Sequence, residues 1–168
     1  MDVYHSHSEG VIIQVVDTDG SPTFKNQGNI EANGAELEFS GRWQDGKQGR
    51  LSYTFQEGKD KQTGFMLVNS PRHLIKLNQI LPLISEKLFF GLDVQFVSKR
   101  KTVLANTAPS FTIANATLYS LNFKAWELSA HIYNLFDKQY GDVASTEHKQ
   151  AVITQDGRSY RLKATYHF

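Results

Sequence analysis

The stretch that most constrains this chain is its last, GRSYRLKATYHF (157–168), which alternates without a break to the final residue. In steps of two from Tyr160 it gives Tyr160, Leu162, Ala164, Tyr166 and Phe168; between them lie Ser159, Arg161, Lys163, Thr165 and His167. Successive side chains of a β-strand point to opposite faces, so this is a strand with one apolar, aromatic side and one polar side. Terminal residues ordinarily fray unless they are tied down. A pattern that runs through Phe168 predicts a terminus that is itself structural.

The same period recurs upstream, with turn signals between. GAELEFSGRW sets Ala35, Leu37, Phe39 and Trp43 against Glu36, Glu38, Ser40 and Arg42, and QDGKQG (44–49) follows as a tight hairpin, Asp-Gly being a strong turn signal. RLSYTFQ opposes Leu51, Tyr53 and Phe55 to Arg50, Ser52, Thr54 and Gln56. After a polar stretch from 57, RHLIKLNQIL and LFFGLDVQFVSKR read as two more strands, the second with Phe90, Leu92, Val94 and Phe96 opposite Gly91, Asp93, Gln95 and Val97. SFTIANATLYS is a strand whose facing stays open, because both of its phases mix apolar and polar residues. AWELSAHIYNLFD puts Trp126, Leu128, Ala130 and Ile132 on one side and Glu127 on the other. Short turns at 44–48, 83–87 and 121–124 alternate with long loops at 58–70, 100–109 and 137–157. No helical period is sustained. The reading is all-β: roughly eight antiparallel strands in an up-and-down meander, with the first, around Val3–Asp17, the least distinct.

Two architectures share this pattern. A soluble ligand-binding barrel turns its apolar face inward; an outer-membrane barrel turns it to lipid around a polar interior. Three features favour the membrane form. Short turns on one side and long loops on the other match periplasmic turns and outer loops. Aromatics collect at strand ends, where rings favour the membrane–water boundary: Trp43, Phe89, Phe123, Trp126 and Phe168 at the short-turn rim, and Phe55, Phe96, Phe111, Phe136 and Tyr160 nearer the long-loop rim. The polar face is densely ionic, with Glu36, Glu38, Arg42, Asp93, Glu127, Arg161 and Lys163 expected to face a watery lumen. An Arg or Lys at mid-depth toward lipid costs about 2–4 kcal/mol. The bland alternative is that these charges solvate a soluble sheet.

Composition supports the strand reading. With 18 basic and 17 acidic residues there is no basic excess to serve a phosphate backbone, so no nucleic-acid partner is expected. No apolar run reaches the about 18 residues of a spanning helix. Cysteine is absent, which removes disulfides and thiolate metal sites. MDVYHSHSEG carries no basic and apolar leader, so no secretory signal is expected in the chain as written.

Four local segments, in order and spacing, resemble the C-terminal barrel segment of TonB-dependent outer-membrane receptors. They are an Asn-Gly…Gly-x-Glu-x-Glu run (Asn26, Gly28, Gly34, Glu36, Glu38), an Asn-Ser-Pro-x-His run (Asn69, Ser70, Pro71, His73), Tyr133–Asp137 with Tyr140, and a Gly-Arg-x-Tyr close (Gly157, Arg158, Tyr160) with terminal Phe168. The resemblance spans residues 1–168 as one C-terminal barrel portion. It implies a siderophore-type receptor in a Gram-negative outer membrane, with outer-membrane lipid around it. It also implies that Tyr160, Leu162, Ala164, Tyr166 and Phe168 form the signal read by the barrel-assembly machinery, by addition of a strand to an edge.

The departures are large. Members of that family have a signal peptide, a plug domain, a box that contacts TonB and a barrel of about 22 strands. This chain therefore reads as a truncated portion without transport activity of its own. Closure into a small eight-stranded barrel, structural or adhesive, is the alternative, and it would require Glu36, Glu38, Arg42, Arg161 and Lys163 to pair together inside. No cofactor is expected and an enzyme is the least supported class. His5 and His7 share a strand face but lack a third metal ligand. Glu36 and Glu38 read as lumen charges rather than an acid/base pair. Ser70 near His73 has no nucleophile elbow, and Asn134 reads as a satisfied rim residue.

Overall fold

The structure, a computed structural model, describes residues 1–84, 87–123 and 125–168; of residues 122 and 123 it describes the backbone only. The ring of Phe123 and parts of the turns expected at 83–87 and 121–124 thus lie outside the described residues. Strands run in chain order as β1 (Asp2–Val16), β2 (Pro22–Arg42), β3 (Gln48–Asp60), β4 (His73–Ile84), β5 (Leu88–Val97), β6 (Arg100–Lys101), β7 (Thr107–Ala108), β8 (Phe111–Phe123), β9 (Trp126–Tyr133), β10 (Gly141–Val143), β11 (Val152–Thr154) and β12 (Ser159–Tyr166). One antiparallel sheet takes the order β1-β2-β3-β4-β5-β8-β9-β12. The pairs β6-β7 and β10-β11 are small hairpins inside two of the long loops. The described residues contain no helix.

Register decides facing, because residues directly opposite on antiparallel strands point to the same side. Leu37, Tyr53, Ile75, Phe96 and Thr112 form one continuous row of partners. Phe39, Leu51, Leu77, Val94 and Ala114 form the next. Further rows on the same face join Phe90, Leu118, Ala130 and Leu162, and then Ser120, Leu128 and Ala164. The opposite face carries Ser40, Arg50, Asn78, Asp93 and Asn115 in register. Gly91, Thr117, His131 and Arg161 form another row there. The open facing of β8 is thereby resolved: Thr112, Ala114, Ala116 and Leu118 share the apolar face, and Phe111, Ile113, Asn115 and Thr117 the polar one.

Two strands run further than their alternation suggests. β2 begins at Pro22 rather than near Gly34, and β3 continues through Asp60 into what reads as loop. Residues 22–29 of β2 pair with β1 alone, since β3 meets β2 only from Ile30 onward. A two-stranded ribbon therefore projects past the sheet at the long-loop end and closes through residues 17–21, where the Gly20 amide donates to the Asp17 carbonyl at 2.9 Å. Gly10, at φ +67°, marks a bulge where the register shifts between Glu9 and Ile12.

No conventional core is present among the described residues. Phe39 is 68% exposed and Leu162 84%, because nothing packs on the apolar face. Buried side chains gather instead at the long-loop rim, with Val97, Ser98, Arg100, Thr102, Ala108, Phe111, Asn134 and Ala144 among them. The loops that cover them lie on the polar face: Leu67 packs over Gly58, and Tyr140 over Phe111 at 4.6 Å between ring centroids.

Large rings shelter two glycines of β2. Trp43 lies over Gly41, where an added Cβ would sit 3.0 Å from its ring, and Tyr4 lies over Gly34. A Cβ on Gly34 would collide with the Tyr4 ring and come within 2.7 Å of the Phe55 carbonyl oxygen, which belongs to the backbone of β3. Gly34→Ala should destabilise the sheet by about 1–3 kcal/mol, the usual range for overpacking. Because the Phe55 contact remains, Tyr4→Ala in the same chain should not restore it. Urea unfolding of the two variants checks this, and full rescue by the second change would refute it.

Candidate functional site

The C-terminal strand is half paired. β12 runs against β9 from Ser159↔Tyr133 to Tyr166↔Trp126, and the His167 amide extends the ladder by donating to the Ala125 carbonyl at 2.9 Å. Tyr160, Leu162, Ala164 and Tyr166 lie on the apolar face, with Tyr166 packed between Trp126 (4.9 Å) and Phe168 (5.1 Å, edge-on). The short-turn rim thus ends in a cluster of three rings. β12 and β1 are the two ends of the sheet, and each presents a free row of backbone donors and acceptors.

All seven charged positions read as one set lie on the other face. Glu38 accepts from the Arg50 guanidinium at 2.6 Å. Asp93 accepts from the side-chain amides of Asn78 and Asn115, and Glu127 lies 3.1 Å from His167. Glu36, Arg42, Arg161 and Lys163 form no ion pair among the described residues. This face is therefore charged and largely uncompensated, and it needs water above it.

At the long-loop rim the polar groups are matched much more closely. Arg100, only 6% exposed, donates to Asn69 Oδ1 (3.2 Å), Asp142 Oδ1 (3.0 Å) and the Gly141 carbonyl (2.9 Å), and its guanidinium lies 5.3 Å from the Phe111 ring centre. Asn134, 4% exposed and at φ +50°, receives Lys138 N–H on Oδ1 (2.8 Å) and donates to the Lys138 carbonyl (2.9 Å). Its own amide donates to Asn115 Oδ1 at 2.9 Å. Asp137 Oδ1 accepts the Arg158 amide at 2.8 Å, and a Cβ on Gly157 would meet that same oxygen at 2.7 Å. Three of the four motif segments thus converge here: Asn69 from Asn-Ser-Pro-x-His, Asn134 to Tyr140 from the next, and Gly157-Arg158 from the close. They tie the β3–β4, β5–β8 and β9–β12 connections into one brace.

Arg100, Asn115 and Asp142 are central to this brace and carry no signal of their own in the sequence; Arg100 lies in the basic run SKRK at the end of a strand. Phe111 is at the expected rim, but it is buried on the polar face beneath Tyr140 rather than standing at a membrane boundary. Phe89 likewise stacks on Tyr119 (5.1 Å) on the polar face. Ser70 and His73 face separate partners: Gln56 Nε2 donates to Ser70 Oγ at 3.4 Å, and His73 Nδ1 lies 2.9 Å from the Tyr53 hydroxyl. His5 is 2.7 Å from Asn33 Oδ1 and His7 is 3.0 Å from Glu9. Among the described residues no group of three or more His, Asp and Glu is placed to hold a metal ion.

The Tyr140 hydroxyl titrates above its ordinary value, pushed up by burial and then by the charges of Asp142 and Asp156. In the unfolded chain the phenol ionises first, so the brace should lose stability only as pH rises past about 10. Tyr140→Phe keeps the ring on Phe111 and should remove that alkaline loss while leaving neutral-pH stability within about 0.5 kcal/mol. Protease resistance of loop 137–157 followed from pH 7 to 11 checks both halves.

A family model described as TonB dependent receptor-like, β-barrel, matches residues 1–135. The chain belongs to the TonB-dependent receptor β-barrel family. No curated protein matches it. Several solved receptors and a transporter share its fold. The ferric-catecholate import receptor Fiu of E. coli K12, in its closed form, superimposes with a TM-score of 0.77 at 20% identity, over 99% of this chain and 24% of that one. The siderophore receptor PiuA of Acinetobacter baumannii gives 0.74 at 22% identity, over 96% and 24%. The copper transporter OprC gives 0.76 at 15% identity, over 99% and 28%. This chain spans about a quarter of the length of the solved receptors it matches.

Proposed function

We propose that this chain is the C-terminal barrel wall of an outer-membrane receptor that takes up a scarce nutrient of the iron–siderophore class. The observation that carries the reading is a single-layer sheet with one bare apolar face and loops folded onto the other. An apolar face spanning eight strands is far larger than the few hundred Å² a soluble monomer leaves exposed, and lipid removes that cost. On this reading Tyr160, Leu162, Ala164, Tyr166 and Phe168 face lipid and offer the free edge of β12 to the barrel-assembly machinery. Glu36, Glu38, Arg42, Asp93, Glu127, Arg161 and Lys163 line a water-filled lumen. The uncompensated charges favour a wide lumen over closure of these strands alone, where burial would demand pairing. In such a receptor the plug and the TonB contact belong to other parts of the protein, and this wall alone does not transport.

The test is an immunoblot of outer-membrane fractions with an antibody to residues 137–157, with and without boiling in SDS. A heat-shifting band several times the size of the 168-residue chain is expected. A heat-shifting band at the size of this chain alone would overturn the reading in favour of a self-closed small barrel. Signal only in the soluble fraction would overturn the membrane assignment.

A further inference from the structure

The apolar face carries a carboxamide that the fold leaves without a partner. Cross-strand register places Gly41, Gly49 and Gln79 in one row on that face, near the short-turn rim. The rows on either side are apolar: Phe39, Leu51 and Leu77 on one, Leu81 and Phe90 on the other. The two glycines leave bare backbone, and two neighbouring side chains spread over it. An added Cβ on Gly41 would sit 3.0 Å from the Trp43 ring; one on Gly49 would sit 2.9 Å from Gln79 Oε1 and 3.5 Å from Trp43. What remains is a recess of about 270 Å³ walled by Phe39, Leu51, Leu77, Trp43 and Gln79. On the polar face Arg50 meets Glu38 and Asn78 meets Asp93. The Gln79 carboxamide, on the opposite side, forms no hydrogen bond among the described residues. Toward lipid there is no water to complete it, so its partner has to come from the surroundings.

We propose that this recess seats one glycerophospholipid of the inner leaflet, with an acyl chain along Phe39 and Leu51 and an ester carbonyl accepting from the Gln79 carboxamide. The inference rests on the receptor reading above, which turns this face to lipid and the short turns to the periplasm. Depth decides the acceptor. Gly41 and Gly49 each lie one residue from the end of their strands, so the recess sits where acyl chains give way to ester groups. Trp43, in the turn beyond, stands where indole rings favour the membrane boundary. Charge decides against the phosphate as the anchor. Arg50 is the one charged residue at the recess among the described residues, and its guanidinium is taken by Glu38 on the other face. A neutral amide therefore meets a neutral carbonyl. The volume is below the about 300–1,000 Å³ of pockets that enclose a whole ligand, so the recess takes a stretch of chain and one ester.

The test uses the whole receptor in vesicles of diester phosphatidylethanolamine or of its diether analogue, which has no ester carbonyl. Each vesicle carries a trace of the same lipid with a photoreactive diazirine in one acyl chain. Cross-links to the peptide around Phe39–Leu51 report the recess, and cross-links to β12 report bulk lipid. Relative to β12, the recess should cross-link about tenfold more in diester than in diether vesicles, the worth of one hydrogen bond made away from water. Gln79→Leu puts an apolar side chain toward lipid and should heat-shift as the native receptor does. It should lose that enrichment in diester vesicles and change nothing in diether ones. Equal labelling in the two native samples would overturn the proposal, as would a Gln79→Leu variant that keeps the enrichment. Labelling that rises only on dilution of the receptor would overturn it too, by placing a second copy over the recess. Should Gln79→Leu fail to assemble, the diester–diether comparison on the native receptor decides alone. A receptor that fractionates and heat-shifts as above yet shows no enrichment overturns this inference and leaves the barrel reading standing.

Discussion

Arginine in place of Leu162 should destabilise the inserted barrel by about 2–4 kcal/mol, the range for a cation on the lipid side near mid-depth. Leu162 is two residues from Tyr160 and four from Tyr166, so its neighbours on the same face are the aromatic ends of the strand. The adjacent residue makes the control. Lys163 lies on the opposite face without an ion partner among the described residues, so Lys163→Leu should change stability by no more than about 0.5 kcal/mol. A depth gradient separates lipid from a soluble core: at Tyr160, nearer the rim, the arginine penalty should fall toward about 0–1 kcal/mol. Urea unfolding of the receptor from lipid vesicles measures all three. Equal costs at Leu162 and Tyr160 would argue against a bilayer around this strand.

The second large effect is expected at Arg100. Arg100→Ala leaves Asn69, Asp142 and the Gly141 carbonyl without their common donor, at a residue only 6% exposed. Breaking a buried pair costs about 3–5 kcal/mol, but Asp142 is half exposed and water can replace part of its partner. A loss of about 2–3 kcal/mol local to the rim is therefore expected. Arg100→Lys should not recover it, because one ammonium on a flexible stem cannot reproduce the planar fork that spans three acceptors. The readout is protease cutting within 137–157 on intact cells, which should rise in both variants while the barrel remains SDS-resistant. Cutting no faster than in the native protein would remove Arg100 from the brace.

Where one face of a strand is apolar throughout and the other polar, the strand period is written plainly into the sequence. β12, β3, β5 and the second half of β2 are such strands, and their facing is readable residue by residue. The first half of β2 is obscure because its alternation is inverted: in NQGNIEANG (26–34) the polar Gln27, Asn29, Glu31 and Asn33 stand in the phase that carries Ala35, Leu37 and Phe39 further on, and only residues 22–29 project beyond β3. β8 is obscure for another reason: Ala114 and Ala116 are small residues on its apolar face, while Ile113 and Phe111 are large ones on its polar face, where Phe111 packs under Tyr140. Only the register with β5 separates the two sets. The family motifs are visible as spacing, but their work as a brace is not, because Asn69, Asn134 and Gly157 meet through Arg100, Asn115 and Asp137 across long stretches of chain.

The most direct test of the two-faced wall is a cysteine scan of residues 159–167 in the whole receptor, feasible because this chain has no cysteine of its own. Each single-cysteine variant is offered a water-soluble maleimide and, separately, a lipid-dissolved quencher of an attached fluorophore. The account predicts strict alternation: quenching at 160, 162, 164 and 166, and maleimide labelling at 159, 161, 163, 165 and 167. The inverted pattern, or maleimide access at every position, would contradict it.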